Sequence, residues 1–183
     1  MHTTLIRVDE LQALQRLGAT LRVFDCSFDL MQPDSGRVQY QQGHIPGALH
    51  ADLDQHLSTH AAGQAVNGGR HPLPQREVFA QWLGACGVGE HTQVVVYDRQ
   101  GLNYCGRLWW MLKWCGHDAV AVLDGGWQAW QAAGGEAAEG DEAPPAPRVF
   151  ALRAPQAVLR HTHDVQAGLH SPQQTLIDAR GAP

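Results

Sequence analysis

Gln93-Val94-Val95-Val96-Tyr97-Asp98 is the stretch that decides the fold. Its β-branched run is apolar without a break, as a strand covered on both faces requires. The chain then turns polar from Asp98 to Asn103 and enters a helix holding Arg107, Leu108, Trp109, Trp110, Met111, Leu112 and Trp114, which Gly116 closes. A second apolar strand, Ala119–Leu123, leads through Asp124-Gly125-Gly126 into a helix carrying Trp127 and Trp130. Upstream, Pro74 opens a helix to about Gly84 with Phe79, Trp82 and Leu83 on its apolar face. Leu21–Asp25 reads as a strand behind an amphipathic segment from Val8 to Leu17 that Gly18 ends. Strands alternating with helices predict an α/β fold, a largely parallel central sheet flanked by helices on both faces.

Composition narrows the function. Of 183 residues, 44% are hydrophobic, enough for a substantial core and against disorder throughout. The net charge of −5 is local: without Glu136, Glu139, Asp141 and Glu142, thirteen basic residues face fourteen acidic ones. No basic stripe is present to neutralise phosphates, which argues against nucleic acid. The longest clean apolar runs, such as Ala119–Leu123, fall short of the roughly 20 residues a membrane span needs. Met1–Arg7 lacks the basic-then-apolar pattern of a secretory signal. Cys26, Cys86, Cys105 and Cys115 form no close pair and no C-x-x-C, pointing to reduced thiols in a cytoplasm. His56/His60 and His161/His163 lack the further ligands of a persuasive metal site, so no metal is expected.

Residues 134–147 are rich in Gly, Ala, acidic residues and proline and read as an extended linker. Beyond it, His161–Gly168 suits a short helix and Thr175–Arg180 a strand, a pattern that echoes the segment from Val8 to Cys26. The expected organisation is a domain over 1–134, an acidic Pro/Ala-rich linker over 135–150, and the truncated opening of a related second domain over 151–183.

Several ordered motifs then carry a resemblance. Asp25-Cys26-Ser27-Phe28-Asp29-Leu30, Gly36-Arg37 with Tyr40, Gly43-His44-Ile45-Pro46-Gly47-Ala48, and Gly69-Arg70-His71-Pro72-Leu73-Pro74 are the first. Val94–Asp98, Arg107–Leu112, Gly116-His117 and Leu123–Trp127 complete the series. Together they resemble the rhodanese family of sulfurtransferases, and within it the N-terminal domain of the two-domain thiosulfate or 3-mercaptopyruvate enzymes. Leu176-Ile177-Asp178-Ala179-Arg180 resembles the first strand of their second domain.

In such a site a strand ends in a tight loop before a helix, so backbone N–H groups and the helix dipole converge and stabilise a thiolate. Here the strand-end residue is Asp98, and a carboxylate carries no persulfide. The resemblance implies the same: the first domain is non-catalytic, and the nucleophilic Cys belongs to the missing second domain. It implies a small anionic sulfur donor, a thiol or cyanide acceptor, the chain's own C-terminal rhodanese domain as partner, and no dissociable cofactor. The carrier would be a covalent persulfide. It also implies that His44 faces the interdomain cleft and assists proton transfer, with Asp34 as partner by proximity; the residues alone equally suit a turn histidine. Arg180 would bind the anionic donor through its forked donors, and Arg70 and His71 could line the cleft. Cys105 falls on the apolar face of its helix and reads as core. The rival reading is a catalytically inactive rhodanese-homology module that binds or regulates a partner. A phosphatase on this fold needs a Cys-x5-Arg loop, which Asp98 removes.

Overall fold

A computed structural model describes residues 1–177 of the chain. Five strands form one all-parallel sheet: β1 (Leu5–Ile6), β2 (Leu21–Asp25), β3 (Ala48–His50), β4 (Gln93–Tyr97) and β5 (Val120–Leu123), in the order β1-β5-β4-β2-β3. The helices are α1 (Val8–Arg16), α2 (Ser35–Gln42), α3 (Arg76–Ala85), α4 (Cys105–Trp114), α5 (Gly126–Ala132) and α6 (Thr162–Gly168). The α/β reading holds, and the triple-valine strand is the central one.

Alternation along β4 explains why it is apolar throughout. Val94 and Val96 join Phe24, Phe79, Leu83, Leu108, Met111 and Leu112 on one face. Val95 and Tyr97 join Ile6, Leu11, Val23, Ala121, Trp127 and Trp130 on the other. Every residue of β4 is buried, so both faces exclude water, at roughly 25 cal/mol per Å² of apolar surface removed. Helices α3 and α4 cover the first face, and α1 and α5 the second.

Local details differ from the expectations. The helix after Pro74 begins at Arg76, because Pro74 is held in an antiparallel bridge to Ala65 and Gln75 is extended. Strands β1 and β3, of two and three residues, are additional. Thr175–Ile177 carry no regular structure, and the rest of the expected strand, with Asp178 and Arg180, lies outside the described residues.

The acidic, proline-rich segment carries no helix, and it is docked. His44 and Ala138 exchange N–H···O=C bonds of 2.9 Å in both directions, and Gly140 N–H donates to Gln41 C=O at 2.7 Å. Further on, Arg148 N–H reaches Gly84 C=O at 2.9 Å and Arg153 N–H reaches Cys115 C=O at 3.1 Å. Phe150, Leu152 and Leu159 pack against the α3–α4 core. Residues 134–159 therefore form a strap over the domain, held largely by backbone bonds. No helix among the described residues is long and apolar enough to cross a membrane.

Candidate functional site at the carboxyl edge of the sheet

Parallel strands bring their carboxyl ends to one edge, where α/β folds build their sites. Here that edge gathers Asp25 from β2, His50 from β3 and Asp98 just past β4, and Asp25 and Asp98 are fully buried.

Asp98 is enclosed by its own loop. Its Oδ1 accepts N–H bonds from Gln100 at 3.0 Å and Leu102 at 2.8 Å; its Oδ2 accepts from Tyr104 at 2.8 Å and Cys105 at 2.9 Å. Four backbone donors thus converge at the start of α4, the arrangement that stabilises an anion. The loop bends tightly enough to reach them because Gly101 and Leu102 take the left-handed conformation, at φ 71° and 70°. From the far side, Trp127 N–H donates to Asp98 C=O at 3.1 Å, and a Cβ on Gly126 would stand 2.6 Å from that oxygen. The cradle is filled: its donors are taken by a side chain that cannot leave.

Beside it lies a second buried charge. Arg99 Nη2 donates to Asp25 Oδ2 at 3.2 Å and also to Gly43 C=O, and its guanidinium lies 4.4 Å over the Trp127 ring. Asp25 Oδ1 accepts Ser27 N–H at 2.9 Å. Residue by residue reading missed this pair. The available signal was an acid ending the apolar run Leu21–Phe24, next to the strand that ends at Asp98.

The four thiols are free, three of them buried and Cys86 half-buried. Burial pushes all four above the ordinary cysteine value, Cys86 to about 12 and Cys115 to about 11. Cys26 and Cys105 rise further in the same direction; after burial, the neighbouring Asp98 carboxylate raises Cys105. For Cys115, burial leads, rather than the dipole expected from its place at a helix end. Cys105 opens α4 fully buried, as its spacing indicated.

The remaining candidates scatter. His44 is fully buried in the turn after α2; its Nδ1 lies 2.9 Å from Tyr40 C=O and its ring stacks on Tyr40 at 4.0 Å. The carboxylate that reaches it is Glu142 of the strap, with Nε2 to Oε1 at 3.3 Å. Asp34 instead sits at the exposed start of α2 without a side-chain capping bond. Arg70, also exposed, donates to Leu30 C=O at 2.6 Å and ties two loops together. His71 pairs with Asp54 at 2.8 Å. Arg180 lies outside the described residues. Among the described residues no cluster of three or more His, Cys, Asp or Glu is placed to hold a metal.

Residues 7–133 match the rhodanese-like domain. The chain belongs to the rhodanese family. A probable 3-mercaptopyruvate sulfurtransferase of Pseudomonas aeruginosa is 39% identical over 180 residues, covering 95% of this chain and 62% of that protein. The human 3-mercaptopyruvate sulfurtransferase is 35% identical over 170 residues, covering 90% and 54% respectively. A solved 3-mercaptopyruvate sulfotransferase from Escherichia coli superposes with a TM-score of 0.76 at 30% identity, covering 92% of this chain and 64% of that one. This rhodanese chain therefore spans less than two thirds of the length of the curated relatives it matches.

Proposed function

We propose that the chain is the non-catalytic first part of a two-domain sulfurtransferase that uses thiosulfate or 3-mercaptopyruvate, and that the sulfur-carrying Cys belongs to a second rhodanese domain following residue 183. The observation that carries this reading is the saturated cradle: four N–H groups bound to the Asp98 carboxylate.

In the proposed reaction a thiolate attacks the outer sulfur of thiosulfate. The new S–S bond makes a persulfide, and sulfite leaves with the electron pair of the broken bond. The persulfide then yields its outer sulfur to cyanide or a thiol. A thiolate in such a cradle would be held ionised by the converging N–H groups. Asp98 offers the cradle an anion without a transferable sulfur, and its charge repels an anionic donor. Burial raises all four thiols of this chain above the ordinary cysteine value, which supports the reading that none of them substitutes. In the whole protein, Arg180 would bind the donor anion and His44 would assist proton transfer from the wall of the cleft. The absence of any disulfide among the cysteines suits a reducing, cytoplasmic setting.

The test is thiocyanate formation from thiosulfate and cyanide, and pyruvate release from 3-mercaptopyruvate, with residues 1–183 and with the reading frame extended past residue 183. Turnover confined to the extended protein supports the proposal; turnover by residues 1–183 overturns it. Inactivity of both proteins, or a stop codon directly after residue 183, would favour the inactive binding module.

A further inference from the structure

Two features of His44 do not fit a residue open to a cleft. It is fully buried, and what covers it is the acidic part of the strap. Glu142 Oε1 accepts Gly47 N–H at 2.7 Å and lies 3.3 Å from His44 Nε2. Glu142 N–H points at Tyr40 Oη at 3.4 Å, while that hydroxyl donates to Ala48 C=O at 2.9 Å. Next to it, Asp141 Oδ1 pairs with Arg37 Nη2 at 2.6 Å.

The carbonyl partner assigns one ring proton. His44 Nδ1 faces a carbonyl oxygen, which only accepts, so Nδ1 carries hydrogen. Nε2, the ring's other edge, faces Glu142 Oε1, the same oxygen that accepts Gly47 N–H. The other charged groups close to this contact are Arg37 and Asp141, which pair with each other. The connection is specific to one point of the strap. Pro144, Pro145 and Pro147 follow it, and the next backbone anchor is Arg148 N–H on Gly84. A proline spacer thus separates the Glu142 contact from the anchors beyond.

We propose that Glu142, and not Asp34, is the carboxylate partner and positioning residue of His44, and that it latches the strap over the turn His44–Gly47 so that His44 meets solvent or substrate only when the latch opens. The proton-transfer role of His44 rests on the function proposed above; the latch does not.

The test uses residues 1–183 and reads no turnover, so its outcome is independent of the sulfur-transfer assay. Amide hydrogen exchange at Gly47, Ala138 and Gly140, and carbethoxylation of His44 by diethyl pyrocarbonate mapped by mass spectrometry, are compared in wild type, Glu142→Ala, Glu142→Gln and Asp34→Asn. In wild type, His44 should react far more slowly than the exposed His60 and His91. Glu142→Ala should speed both readouts by roughly tenfold or more, the loss expected for a charge-assisted bond. Glu142→Gln, which keeps an acceptor for Gly47 but loses the charge, should fall between. Asp34→Asn should match wild type, and the Arg148 amide should stay protected throughout. Val95 and Val96 amides report the integrity of the sheet; should Glu142→Ala unfold, Glu142→Gln carries the comparison. A wild-type His44 as reactive as His60, unchanged rates in both Glu142 variants, or a larger effect from Asp34→Asn would each overturn the proposal.

Discussion

Asp98 Oδ2 accepts the N–H of Cys105 at 2.9 Å, and the thiol of that same Cys105 is pushed up by burial and by the Asp98 carboxylate. One carboxylate thus caps the loop before α4 and adds to the burial that raises the Cys105 thiol. Asp98→Asn should show the structural half of this. An amide keeps one acceptor oxygen but turns its NH2 toward two of the four N–H donors, orphaning buried groups. We expect a loss of about 2–3 kcal/mol, read as a lower denaturation midpoint with an unchanged m-value.

The ion pair beside it should behave as a coupled unit. Removing one partner strands the other charge in the interior, so Arg99→Gln or Asp25→Asn alone should each cost roughly 3 kcal/mol. The double variant leaves no uncompensated charge and should cost clearly less than the sum of the two. A double-mutant cycle by chemical denaturation measures the coupling.

Stability should peak between mildly acidic and mildly alkaline pH. Burial lowers His50, His56 and His117 from the ordinary 6.5, so below that value the unfolded chain takes up protons that the folded chain refuses. Stability is present above 6.5 and is lost as pH falls through it. The thiols act oppositely. Above the ordinary cysteine value of 9.0 the unfolded thiols ionise while Cys115 and Cys86 wait until about 11 and about 12. Their contribution is therefore lost as pH rises past 9.0. Denaturation midpoints between pH 5 and pH 10 check both limbs.

The strap depends on close backbone approach. A Cβ on Gly84 would stand 2.5 Å from Arg148 C=O, a backbone atom that must move. Gly84→Ala should displace the strap there and raise protease cleavage around 144–150, with the sheet amides still protected. An unchanged cleavage pattern would show that the strap does not need that contact.

The central strands were legible because Val94–Val96 are buried on both faces and Val120–Leu123 are buried but for the half-buried Val122, which leaves an apolar run in the sequence itself. Strands β1 and β3 were not. At two and three residues they carry no periodicity, and it is the register with β5 and β2 that makes them strands. The strap was read as a linker because its composition offers little to bury, yet its backbone bonds do not depend on side-chain type. Asp98 was visible as the wrong residue for a sulfur carrier; that four N–H groups enclose it required the fold of the loop. The pairing of His44 with Glu142, 98 residues apart, leaves no local pattern, and proximity in the chain favoured Asp34 instead.

The central claim is that Asp98 fills the place a sulfur carrier would take and that no thiol of this chain replaces it. Intact-protein mass spectrometry of residues 1–183 after incubation with thiosulfate or 3-mercaptopyruvate tests it most directly. The account predicts an unmodified chain. A gain of the mass of one sulfur atom, mapped to Cys26, Cys86, Cys105 or Cys115, would contradict it.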